Sequence, residues 1–187
     1  MSLPRTLINF AAFQAGWFAC VAGAAHGLPW LGPLLVLPVA GWHLANADRP
    51  ADELRFMLVA TALGMLFDQL LLAMDLVRFV VVADWPSALL PPWMVALWLM
   101  FNTTPALGLH WLRGRFAAAA LFGLVGGPLA YAAGAGVGAL SLVDAPIALT
   151  AIGLGWAVIM PILMRLYALF GGYAAGSGSS AIAMRHV

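Results

Sequence analysis

Six long apolar runs crowd into a chain of only 187 residues, and no other feature restricts its folding as much. A helix needs about 20 apolar residues to cross the roughly 30 Å hydrocarbon layer of a bilayer. The runs lie at Leu7 to Ala25, Trp30 to Ala45, Leu54 to Met74, Trp93 to Leu112, Phe116 to Val137 and Pro146 to Phe170. The second is shorter and is entered through Pro29 and Pro33, and the third carries Asp68 within it. With 64% hydrophobic and 8% charged residues, against about 25% charged in an ordinary soluble domain, the chain has too much apolar surface to hide in its own interior. Its runs are too long for barrel strands and lack their alternating polarity. The sequence therefore predicts an all-α fold: a polytopic membrane helix bundle of about six transmembrane helices. One domain spans residues 1–170, and a flexible cytoplasmic tail rich in Gly, Ser and Ala spans residues 171–187.

Orientation follows from the basic residues, all eight of which are Arg. Cytoplasmic loops retain positive charge. Placing both termini inside leaves only Arg78 outside, with Arg5, Arg49, Arg55, Arg113, Arg115, Arg165 and Arg185 in the cytoplasm. Trp30, Trp42, Trp85, Trp93 and Trp111 fall near the proposed span ends, where indole rings favour the headgroup zone. The expected location is a bacterial inner membrane, crossed several times. Arg5, the first run and Ala22-Gly23-Ala24 also suit a cleavable signal peptide, but Asn9, Gln14 and Trp17 favour a retained helix. A net charge of +1 gives no basic face for nucleic acid, and the lone Cys20 excludes a disulfide framework.

In lipid, helices associate through close contact of small residues. Gly123, Gly127, Ala130, Gly134 and Gly138 follow such spacing in the fifth run, as do Asn9, Ala12, Gly16, Ala19 and Gly23 in the first. These two helices are expected to form the tight centre of the bundle, or else the seam of a homodimer. The segment Asp75 to Pro92 is too apolar for a free loop and too short to cross. It is expected to lie on the outer surface or to cover the bundle.

Ionisable and polar groups at membrane depth carry functional weight because each is costly there. Asp68 lies near or just past the middle of the third span, beside Gln69. Asn102, Thr103 and Thr104 precede Pro105 in the middle of the fourth. Pro105 frees the Phe101 carbonyl, which threonine hydroxyls or water can satisfy. A hydrogen bond from Asp68 to Asn102, Thr103 or Thr104 is one reading, and a proton-relay or ligand-binding Asp68 is another. Gln14, Asp68, Gln69, Asn102, Thr103 and Thr104 together form the candidate ligand-binding set, with no catalytic residue assigned. His43 and His110 fall near cytoplasmic span ends, where they serve as interfacial residues or, alternatively, as axial ligands of a b-type haem. No cofactor and no metal is otherwise predicted, and the motifs of soluble enzymes are missing from the chain.

Several stretches carry a family resemblance: Asn9-Phe10 with Phe13-Gln14-Ala15-Gly16-Trp17-Phe18, the Asp68 helix, Trp98 through Thr104, and Gly126-Gly127-Pro128-Leu129-Ala130-Tyr131 with Ala133-Gly134. Over nearly its whole length the chain resembles a family of bacterial inner-membrane proteins catalogued as a domain of unknown function. Genes of that family often neighbour those for cyclopropane-fatty-acid-synthase-like methyltransferases and flavin-dependent amine-oxidase-like proteins. The resemblance implies a role around membrane-lipid modification or stress, and supplies no catalytic residues. The chain departs from many members at Ala106-Leu107, where they carry Asn-His, and near Gly136, where they carry a basic residue.

Three functions fit these readings. The first is an accessory membrane protein, more a binder than an enzyme, that holds membrane lipids or a lipid-modifying enzyme. The second is a small proton-coupled carrier centred on Asp68 and Asn102. The third is a membrane-embedded lipid enzyme using Asp68 and His110.

Overall fold

A computed structural model describes residues 3–81 and 85–173, with side chains from Thr6 onward. Six α-helices dominate: α1 (Leu3–Ala25), α2 (Leu31–Ala45), α3 (Pro50–Ala73), α4 (Pro92–Phe101), α5 (Phe116–Val137) and α6 (Ala145–Phe170). Four of them, α1, α3, α5 and α6, are long and apolar enough to cross a membrane. The 15 residues of α2 reach only about 22 Å at 1.5 Å per residue. Helix starts follow local chemistry. Pro50 opens α3 with Asp52 and Glu53 in its first turn, where acidic groups complement the helix dipole. Asp144 caps α6 by accepting from the Ile147 N–H at 3.1 Å. Gly138 closes α5 in a left-handed conformation, φ +93°, that a side chain would strain.

The fourth run is not the continuous helix that its hydropathy predicts. Helix α4 stops at Phe101, and tight turns carry the chain to a 3₁₀ turn at His110–Leu112. Pro105 cannot donate to the Phe101 carbonyl, and three neighbouring polar side chains compete for backbone partners. The Thr104 hydroxyl donates to the Phe101 carbonyl at 2.7 Å, as anticipated for that freed group, and the Thr103 hydroxyl donates to Met100 O at 2.9 Å. Arg113 reaches back to close the turns, donating to Pro105 O and Ala106 O.

Two three-residue strands join the helices. β1 (Val77–Phe79) pairs antiparallel with β2 (Leu140–Leu142), Arg78 opposite Ser141. The described parts of the Asp75–Pro92 segment, 75–81 and 85–92, thus cover one end of the bundle, with Val77 and Phe79 buried and Arg78 exposed. Trp93 fastens it by donating to Val80 O at 2.8 Å. At the opposite end the α2–α3 turn meets the residues that follow α6: Arg49 N donates to Gly172 O at 2.8 Å and its guanidinium to Gly171 O at 2.8 Å. The tail expected to begin at Gly171 is therefore held for its first three residues. Residues 174–187 lie outside the described residues.

The tight centre expected between α1 and α5 is not there. Helix α5 packs along α6, with Gly123 and Gly127 beneath Trp156, while its contact with α1 is sparse. On α1, Gly16 instead receives Met100 of α4, and Cys20 packs against Gly32 of α2. Each small-residue face found a different partner, and a space opens between α1 and α5.

Candidate functional site

Asp68 ties three helices together. It lies on the buried stripe of α3 that runs through Glu53, Met57, Ala60, Gly64 and Leu71. Trp98 of α4 donates its indole N–H to Oδ2 at 2.6 Å, and Tyr131 of α5 donates its hydroxyl to Oδ1. Gly64, one turn earlier, permits this approach, because a Cβ there would collide with the Trp98 ring. Trp98 then stacks on Trp156 of α6, with ring centroids 5.0 Å apart and planes 11° apart. Phe101 meets both indoles edge-on. Offset stacks and edge contacts of this kind add stability beyond burial alone.

This aromatic wall bounds a cavity of about 420 Å³ between α1, α4, α5 and α6. Helix α1 contributes Phe13, Gln14 and Trp17, and α4 contributes Trp93, Trp98 and Phe101. Helix α5 offers Gly126, Ala130 and Tyr131, whose small neighbours leave room instead of filling it. Asp68 itself stands behind Trp98 and Tyr131, fully buried. No charged side chain lines the space. The cavity is of the size and apolar character of small-molecule sites, which span about 300–1,000 Å³.

The six residues singled out from sequence do not converge. Gln14 lines the cavity, and Asp68 borders it through Trp98 and Tyr131. Gln69 fastens the end-covering segment, donating to Ala88 O at 2.7 Å and accepting from Leu90 N at 3.2 Å. Asn102 donates to the Thr61 hydroxyl at 3.1 Å, and Thr103 accepts from Asn9 Nδ2 at 3.2 Å. Thr104 bonds its own turn. Asp68 therefore takes its partners from Trp98 and Tyr131, not from Asn102, Thr103 or Thr104. Trp98 lies within an apolar run, away from its ends, where an indole N–H needs a protein acceptor. That position is the signal that sequence reasoning passed over.

A second buried polar group pairs His43, which the sequence marks as interfacial or a haem ligand, with Glu53, which it does not mark at all. His43, in the last turn of α2, meets Glu53, in the first turn of α3, at 2.8 Å between Nε2 and Oε1, with side chains 1% and 0% exposed. Glu53 Oε2 also accepts from the Gly172 N–H at 2.7 Å, and the Tyr173 hydroxyl donates to His43 O at 2.6 Å. Arg113 lies over the nearby Tyr167 ring at 4.3 Å. The short α2–α3 connection brings both residues to one depth. His43 is thus committed to Glu53, while His110 is exposed and bonds Leu107 O. Among the described residues no three His, Cys, Asp or Glu side chains gather as a metal site.

No curated protein and no solved structure matches the chain. Residues 6–162, which contain every cavity residue named above, match a family model described as "Protein of unknown function (DUF2878)", and the chain belongs to that family.

Proposed function

We propose that this protein is a lipid-binding component of a bacterial inner membrane that holds an apolar, lipid-derived ligand in the cavity between α1, α4, α5 and α6. The observation that carries the reading is the cavity itself: about 420 Å³, walled by stacked aromatic rings and free of charged side chains. Asp68 serves this site from behind. By accepting from both Trp98 and Tyr131 it fixes the wall at the depth where an unpaired donor would be most costly. In this reading α2 and the broken α4 also traverse the bilayer, giving six crossings. The end where Arg49 meets Gly171 and Gly172 faces the cytoplasm with both termini, and the β1–β2 end faces out. The arginine distribution and the placement of these ends on opposite sides of the bundle support that arrangement. A ligand-holding protein of this kind serves lipid modification as an accessory, presenting or sequestering a lipid for a partner enzyme.

The test fills the cavity without disturbing the bundle. A Cβ at Gly126 would meet only the Phe122 ring, at 3.8 Å or more, so Gly126→Leu projects into open space. Native mass spectrometry of the full chain, released from mild detergent, is expected to show one retained lipid adduct in the wild type and its loss in Gly126→Leu. Gly126→Ala, which adds a better helix former, controls for folding. Equal adduct in all three proteins overturns the reading.

A further inference from the structure

We propose that Gln14 is the specificity-determining residue of this cavity. It hydrogen-bonds an uncharged oxygen, a keto or hydroxyl group, that the ligand carries part-way along its apolar body, at mid-bilayer depth. The inference rests on the proposed lipid site and names the class of lipid that fits it.

Gln14 sits midway along α1, lines the cavity and forms no hydrogen bond among the described residues. An amide left without a partner in hydrocarbon costs several kcal/mol, so a mid-span glutamine implies something for it to bond. The protein does not supply that group. Of the buried donors in the wall, Trp98 and Tyr131 are directed to Asp68 and Trp93 to Val80 O, while the Trp156 indole N–H is enclosed, without a hydrogen-bond partner among the described residues. Gln14 is left to face the occupant, with the Trp17 ring one turn along the same helix. The cavity has no arginine or histidine to neutralise a carboxylate or phosphate. Its ligand is therefore uncharged within it, and an anionic headgroup is excluded by the cost of an unpaired charge. An amide both donates and accepts, so a keto or a hydroxyl oxygen satisfies it. A plain saturated chain fills the same volume and leaves Gln14 unpaired.

Two photoactivatable probes of equal chain length separate these cases in the full-length protein. One is an uncharged alkyl diazirine; the other is the same alkyl diazirine with a single mid-chain keto group. The keto probe is expected to label the wild type about five- to tenfold more strongly, the measure of one intramembrane hydrogen bond. In Gln14→Leu its labelling falls to that of the plain probe, which is unchanged. Gly126→Leu removes both. Equal labelling of the wild type by the two probes, unaltered in Gln14→Leu, overturns the inference and leaves the lipid site standing. Labelling by both probes that persists in Gly126→Leu overturns the lipid site itself. A dimer of the wild type that becomes monomeric in Gln14→Leu overturns the inference differently, by showing that Gln14 faces a second copy of the chain.

Discussion

Glu53 and Asp68 stand on one buried stripe of α3, about 22 Å apart along its axis, and both are fully buried, yet the molecule treats them differently. Asp68 takes its donors from two aromatic side chains, Trp98 and Tyr131, that themselves form the wall of a cavity. Glu53 takes one partner from the backbone of Gly172 and one from His43, and it does not line the cavity. The first carboxyl shapes the wall of a cavity; the second fastens the residues that follow α6. A buried carboxylate is thus not by itself a mark of function. What its partners do next decides its role.

The largest expected effect comes from Glu53→Ala. It strands a buried imidazole and a backbone N–H together, and removing one member of such a pair costs about 3–5 kcal/mol. Unfolding of the purified chain in mixed micelles reads this directly. The folded fraction should retain the lipid adduct of the wild type. Loss of adduct from folded Glu53→Ala would erase the division between the two carboxyls. Asp68→Ala should be milder in stability, about 1–3 kcal/mol, because two orphaned donors in a membrane interior find partial substitutes. Its adduct should fall sharply as Trp98 and Tyr131 lose their anchor. The two variants together give opposite orderings for stability and for ligand.

Asp68→Asn sharpens the contrast. The amide oxygen still accepts from Trp98, and the Tyr131 hydroxyl can turn to accept from the new N–H, which leaves only the hydroxyl proton without its former acceptor. Stability should fall by about 1 kcal/mol, less than in Asp68→Ala, and the adduct should be kept. A proton-coupled carrier would behave otherwise, because Asn cannot exchange a proton. Unchanged lipid binding with a lost pH-dependent flux in Asp68→Asn would move the function toward transport.

How much of this was readable beforehand differs between the two regions. Hydropathy reveals the long helices because each apolar run must satisfy its own backbone, a local requirement. It also reveals the trouble at Asn102 to Pro105, where Pro and Thr act within one turn. Small-residue spacing shows that Gly123 and Gly127 admit a close neighbour, but not that the neighbour is Trp156 of α6. Asp68 stood out because it is an acid in a span, whereas its partners lie 30 and 63 residues away and read as ordinary aromatics. Glu53 was hidden by its charged surroundings: Asp48, Arg49, Asp52 and Arg55 make the turn look like solvent-facing sequence. Arg49, Asp52 and Arg55 do pair at the surface, while Glu53 alone turns inward.

The smallest effect belongs to Asp75, which lies seven residues beyond Asp68 and past the end of α3. Here the contrast is with a carboxyl that has a charged partner and no burial. Arg78 donates to both carboxyl oxygens, at 2.8 and 2.9 Å, and this hydrogen bonding holds the Asp75 carboxyl below its ordinary range. A carboxyl lowered in the folded state stabilises the fold above its unfolded value, near pH 4, and loses that contribution as the pH falls through the folded value. Water screens so exposed a pair, and Asp75 also adopts φ 54°, a left-handed conformation that Asn tolerates at least as well. Wild type and Asp75→Asn should therefore have melting temperatures that differ slightly at neutral pH and converge below about pH 4. A difference that grows on acidification would place the pair's contribution in the wrong protonation state. It would also remove Asp75 as the exposed reference against which the two buried carboxyls are judged.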